Sequence, residues 1–189
     1  YFGFTSQEVE QILKDSGYQN EAERVRVWYD GYHFGEFDMY CPWDVLNYVY
    51  DLQEHEEISQ PVSYWRNTSD NAVIRSFLDH KQNLITAKLE TLLSGGYIIQ
   101  KIDENLTYDF DRCSDENFWS VLYLTGYLTR CREKDLRPED RNRIRDGFTA
   151  LMIPNEEIRE IYRDTIVKWF TESAPSWKPE NLGEAIQKE

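Results

Sequence analysis

Two carboxylates, Asp30 and Asp44, stand inside a dense aromatic stretch, Trp28-Tyr29-Asp30-Gly31-Tyr32-His33-Phe34-Gly35 followed by Tyr40-Cys41-Pro42-Trp43-Asp44-Val45-Leu46-Asn47-Tyr48. A carboxylate pair can do acid–base work or hold a divalent cation. Each also has a simpler task. Asp30 precedes Gly31 in a turn dipeptide, and Asp44 lies where a negative charge favours a helix start. Nothing else completes a site around them, so the simpler tasks are the favoured reading. His33, His55 and His80 are scattered, without His-Glu-x-x-His spacing, which argues against a metal site. No local signature supports a Ser/His or Cys/His nucleophile.

The aromatic side chains pose a second choice. Seven of them and two glycines surround the Asp30-Gly31 reversal. One reading is a lid over a nucleotide base, since aromatic faces stack on purines and a glycine turn lets backbone approach closely. The other is an aromatic core locking two helices, with Trp28, Tyr32 and Trp43 packed together. Residue types alone favour the core.

The elements that must position these residues are mostly helical. Thr5 with Glu8 is a capping-box signature opening a helix to about Ser16, with Val9, Ile12 and Leu13 inward and Gly17 ending it. A second helix is expected over about 21–29. Pro42 opens a third, reaching about Asp51. The acidic stretch 53–63, interrupted by Pro61, reads as a loop. Thr68 or Ser69 caps a helix carrying Val73, Ile74, Phe77 and Leu78. Another helix, with Ile85, Leu89, Leu92 and Leu93 inward, stops at Gly95-Gly96.

Beyond that point the pattern changes. A short strand or extended connector is expected over 98–102, then a helix capped by Ser114 or Asp115 and running to about Thr125. Residues 127–132 alternate, and 148–153 form an apolar run between Gly147 and Pro154. Asn155 caps a last helix, with Glu156 and Glu157 in its first turn and Ile158, Ile161, Tyr162, Ile166, Trp169 and Phe170 along its stripe. Helix, strand, charged loop, strand, helix is the layout of a winged-helix-like unit with a short β-hairpin. The expected fold is therefore mainly α. A helical part spans 1–96, the winged-helix-like part 97–172, and 173–189 is a linker or the start of another element.

Hydrophobic residues make up 40% of the chain and aromatics 15%, a globular composition rather than a disordered one. The net charge of −14 repels phosphate backbones and anionic membranes. No run approaches a membrane span. Cys41, Cys113 and Cys131 are three, with no C-x-x-C pair, which fits reduced thiols in a cytoplasmic protein. No Gly-x-x-x-x-Gly-Lys-Ser/Thr run occurs, so no phosphate-cradling loop is present.

Phe2-Gly3-Phe4-Thr5, Trp28-Tyr29-Asp30-Gly31-Tyr32, Pro42-Trp43-Asp44-Val45-Leu46-Asn47-Tyr48, Tyr64-Trp65-Arg66-Asn67-Thr68 and Thr125-Gly126-Tyr127-Leu128-Thr129 follow one another in this order. In this the chain resembles the bacterial AAA-ATPase-like proteins, which usually carry a C-terminal PD-(D/E)XK nuclease-like domain. The resemblance covers most of the chain, to about Phe170. It departs at Cys41, where the family pattern commonly has Asn, a better N-cap than a thiol. In the family the P-loop lies before the first block seen here, and no nuclease-like Asp…Glu-x-Lys pattern follows. The resemblance therefore implies a middle piece of a larger protein, with a lid containing Trp28, Tyr29, Asp30, Gly31, Tyr32, Pro42 and Trp43. It also implies ATP and Mg²⁺ as ligands of the parent rather than of this piece. The partners it implies are the parent's own ATPase core and nuclease-like domain.

The charged segment between the last two expected strands carries the wing candidates Arg137, Arg141, Arg143 and Arg145. Counting Arg130, Arg132 and Lys134, seven bases face five acids, namely Glu133, Asp135, Glu139, Asp140 and Asp146. The acids nearly cancel the field. A protein-docking or domain-packing wing is favoured over one that binds nucleic acid.

Overall fold

Thr5 starts the first helix by the reciprocal box its spacing predicts. Its hydroxyl accepts the Glu8 N–H at 3.3 Å, and the Glu8 carboxylate accepts the Thr5 N–H at 2.8 Å. The computed structural model describes residues 3–35, 37–55, 60–65, 82–104 and 115–173. The helix expected around Val73 to Leu78, the side chains of Ile85, Trp169 and Phe170, Cys113, His80, the Ser114 cap and the tail beyond Ser173 lie outside what is described.

Helix α1 (Ser6–Ser16) ends at Gly17, with φ of 85°, the left-handed conformation expected there. A single 3₁₀ turn (Gln19–Glu21) leads into α2 (Ala22–Tyr29), and α3 (Pro42–Glu54) begins at Pro42. The three helices bury a first core of Val9, Leu13, Val25, Tyr29, Val45, Tyr48, Val49 and Leu52.

Between α2 and α3 the structure corrects the expectation of a bare reversal. Strands β1 (Tyr32–Phe34) and β2 (Phe37–Met39) form an antiparallel hairpin, pairing Tyr32 with Met39, His33 with Asp38 and Phe34 with Phe37. A further bridge joins Tyr40 to Phe4. Aromatic and β-branched side chains suit a pleated surface as well as a helix, and strands this short carry almost no periodicity of their own.

The second half supplies α4 (Gln82–Leu93), β3 (Ile98–Gln100), α5 (Asp115–Leu124), β4 (Thr129–Arg130), a 3₁₀ turn (Glu133–Asp135), α6 (Arg141–Arg145), β5 (Thr149–Met152) and α7 (Glu156–Ser173). Its antiparallel sheet has the order β3-β5-β4, with Ile98 opposite Leu151 and Thr129 opposite Met152. The Asn155 carboxamide oxygen accepts the Ile158 N–H at 3.0 Å, the cap expected for α7. A second core gathers Leu92, Ile98, Phe118, Trp119, Leu151 and Tyr162 among others. Leu89 and Leu92 of α4 belong to this core rather than to the first. The chain is mainly α, with two small antiparallel sheets among the described residues.

Candidate functional site at the joint between the two cores

Gly31 sits where the halves meet. Its φ is 110°, and a Cβ at this position would lie 1.9 Å from the Pro154 carbonyl oxygen, immediately before the cap of α7. Only glycine permits both the conformation and the approach. Asp30 makes the turn, its carboxylate accepting the Gly31 N–H at 2.7 Å. Burial pushes that carboxyl upward, with the Gly31 bond opposing.

The hairpin is then tied to the second half. The Tyr32 hydroxyl donates to the Gly126 carbonyl at 3.2 Å, and the His33 N–H donates to the Thr129 hydroxyl at 3.1 Å. Asp38 takes His33 Nδ1 at 2.7 Å on one oxygen and pairs with Arg132 through the other. Burial raises the Asp38 carboxyl, but Arg132 and His33 more than offset it, leaving it below its ordinary range. An ionised carboxylate only accepts, so His33 Nδ1 carries the proton.

Asp30, Gly31, His33, Asp38 and Arg132 line an open cleft of about 440 Å³, together with Gly95, Gly96, Tyr97 and Pro154. Its charges are largely neutralised in place. Arg26 binds Glu23 at 2.6 Å, and Arg132 is engaged by Asp38. The Cys131 thiol is pushed up by burial, which holds it in the poorly nucleophilic neutral form. Among the described residues no cluster of three or more His, Cys, Asp or Glu could hold a metal ion. The cleft is lined from both halves of the chain, by Asp30, His33 and Asp38 from the first and Tyr97, Cys131 and Arg132 from the second.

The aromatic rings separate. Tyr29 is buried in the first core, its hydroxyl donating to the Val62 carbonyl at 3.1 Å, while Trp28 packs partly buried beside it. Tyr32 points to the second half. Trp43 is 54% exposed. The expected packing of Trp28, Tyr32 and Trp43 together is therefore overturned. The inward stripe of α3 runs through Asp44, Val45, Tyr48, Val49 and Leu52, which leaves Trp43, Leu46 and Tyr50 on the outer face. Pro42 occupies the first turn, and the Cys41 thiol provides no side-chain cap.

Asp44 does more than favour a helix start. It is 1% exposed and faces Glu157, also 1% exposed, on the first turn of α7. Glu157 Oε1 accepts the Trp65 N–H at 2.9 Å. Asp44 Oδ1 and Glu157 Oε2 have no donor among the described residues. Burial, then the neighbouring Asp44 charge, pushes Glu157 up to about 8, and burial raises Asp44 as well. Of the two first-turn acids, Glu156 takes the solvent side, bridging Arg159 and Arg163 at 2.7 Å each. One signal for Glu157 was present in the sequence: it lies four residues before Ile161, on the apolar stripe, as Asp44 does before Tyr48.

None of the wing candidates lines the cleft. Arg137, Arg141 and Arg143 are exposed, and Arg143 stacks over the Phe148 ring at 5.4 Å. The side chain of Arg145 is outside the described residues. The Tyr97 hydroxyl accepts the Arg137 N–H at 3.0 Å and donates to Asp140 at 2.7 Å, fastening the segment to the start of β3. Arg130 pairs with Glu104 at 2.8 Å.

The chain matches no protein-family model, no curated protein and no solved structure.

Proposed function

We propose that this chain is the regulatory lid and connector of an AAA-ATPase-like protein, coupling ATP binding and hydrolysis to a nuclease-like effector outside this chain. One observation carries the reading: the Asp30-Gly31 turn of the aromatic motif is seated on Pro154, at the head of α7. A displacement of α2 and α3 by a nucleotide-bound core would reach α7 without an intervening flexible segment. In this reading ATP and Mg²⁺ belong to the parent's core, and the protein works in the cytoplasm. The segment from α5 through β4, the charged residues and β5 to α7 acts as a winged-helix-like unit whose wing docks protein. The engagement of Arg130, Arg132 and Arg143 by groups of the chain itself disfavours a DNA-contacting wing.

The test is the complete coding sequence and its product. A P-loop should precede the first aromatic block, and the product should hydrolyse ATP, while residues 1–189 alone should not. A complete sequence without that loop would overturn the reading. A second reading, a protein-interaction module with no nucleotide role, is favoured by the exposed face of Trp43, Leu46 and Tyr50. Capture of a protein partner through this face by a product lacking ATPase activity would select it.

A further inference from the structure

We propose that Asp44 and Glu157 form a proton-sharing latch, in which one proton held between the two carboxyl groups closes the joint between α3 and α7 and its loss loosens that joint. The proposal goes beyond the coupling reading and stands without it. Its basis is geometric. Two carboxyl groups on helices from different cores are each 1% exposed and interact side chain to side chain, and each has an oxygen with no donor among the described residues. Two ionised carboxylates cannot remain buried face to face without a cation or a proton between them. A single proton satisfies both orphaned oxygens at once: one carboxyl donates and the other accepts.

The surroundings support a proton as the occupant. From α2 comes Tyr29, from β1 Tyr32, from the N-cap of α3 Cys41, and from the 60–65 segment Tyr64. None of these is cationic. Along α7, Arg159 gives Nη1 to Glu156 at 2.7 Å and keeps a buried Nε without a partner, and it is not among the groups acting on Glu157. Burial raises Tyr29, Tyr32 and Tyr64 well above the ordinary phenol range, and it pushes Cys41 up to about 11. These neighbours therefore stay neutral near pH 8, and the carboxyl pair titrates as a unit.

The sign of the effect follows. With its folded-state value raised to about 8, Glu157 keeps in the native chain a proton that the unfolded chain releases in the ordinary carboxylate range. Native stability is therefore full in mild acid, falls as the pH rises toward 8, and levels above it, by up to about tenfold in the unfolding constant per pH unit.

The experiment uses the full chain, with thermal melts and infrared difference spectra between pH 5 and 9. The wild type should lose melting temperature across neutral pH and show a protonated-carboxyl band that disappears on the same midpoint. Glu157→Gln keeps the shape, the acceptor for Trp65 and a permanent N–H toward Asp44, so its melting temperature should be flat over that window and the band absent. Asp44→Asn removes the facing charge and should move the transition to lower pH. A wild type with no carboxyl band above pH 7 overturns the proposal whatever the variants do. So does a Glu157→Gln chain that keeps the wild-type slope, or an Asp44→Asn chain with an unmoved midpoint.

Discussion

Two carboxylate sites lie at the same joint and are held in opposite ways. Asp38, at the open cleft, is clasped by His33 and Arg132, and its carboxyl is lowered. Asp44 and Glu157, between the cores, face each other without a cation, and both are raised. The difference lies in what supplies the positive charge. The hairpin brings Asp38 and His33 to Arg132, just past β4, where the paired side chains remain partly exposed. Among the described residues no base faces the inner pair on α3 and α7, and a proton serves as its counter-charge. Hence the same joint has an acid-sensitive strap and an alkali-sensitive latch.

Gly31→Val should abolish both behaviours at once. A β-branched residue at a φ of 110° costs about 1–3 kcal/mol in backbone strain. The displacement of Pro154 demanded by its Cβ costs about 1–3 kcal/mol more. Both carboxylate sites depend on that contact, so the acid and alkaline limbs of stability should be lost together. Denaturant melts at pH 4, 7 and 9 check this. A variant with wild-type midpoints would mean that the joint is not set by Gly31.

Asp38→Asn should have a smaller effect, and on the opposite side of the pH scale from Glu157→Gln. Because folding lowers the Asp38 carboxyl, its contribution is present above the ordinary carboxylate range and is lost as the pH falls through its folded value. A partly exposed pair of this kind contributes up to about 1 kcal/mol. The variant should therefore melt slightly lower at pH 7 and flatten the fall toward pH 3, with the alkaline limb unchanged. Loss of the alkaline limb in this variant would show that the two sites are one network.

Local chemistry explains which parts of this arrangement can be read from residues alone. The Thr5–Glu8 box, Pro42 opening α3, the Asp30 turn and the Asn155 cap are each decided by neighbours a few residues apart. The β1–β2 hairpin is not legible in that way, because strands of three residues are too short for alternation to show. Nor is the Asp44–Glu157 pair, which joins positions more than a hundred residues apart. What the sequence does show is a carboxylate on each of two apolar stripes, a pattern explained equally well by helix-start electrostatics until the partner is seen. The separation of Trp43 from Trp28 and Tyr32 follows from the same stripe: once Asp44 turns inward, its neighbour must turn out.

That neighbour offers the smallest expected effect and the finest test. Trp43 and Asp44 are adjacent on α3, one facing solvent and the other the latch. Removing a buried Trp ring costs about 3–5 kcal/mol, but an exposed one lies within about 0.5 kcal/mol of neutral. Trp43→Ala should therefore leave the melting temperature and both pH limbs almost unchanged. Its consequence should appear in association instead, since Trp43, Leu46 and Tyr50 give α3 an apolar outer face with no intramolecular cover among the described residues. If a partner protein docks there, as the proposed function would have it for an ATPase core, the variant should weaken that association while the chain itself stays folded. A drop of several degrees in the isolated chain would show that the ring packs on this chain and that α3 has no free face to dock.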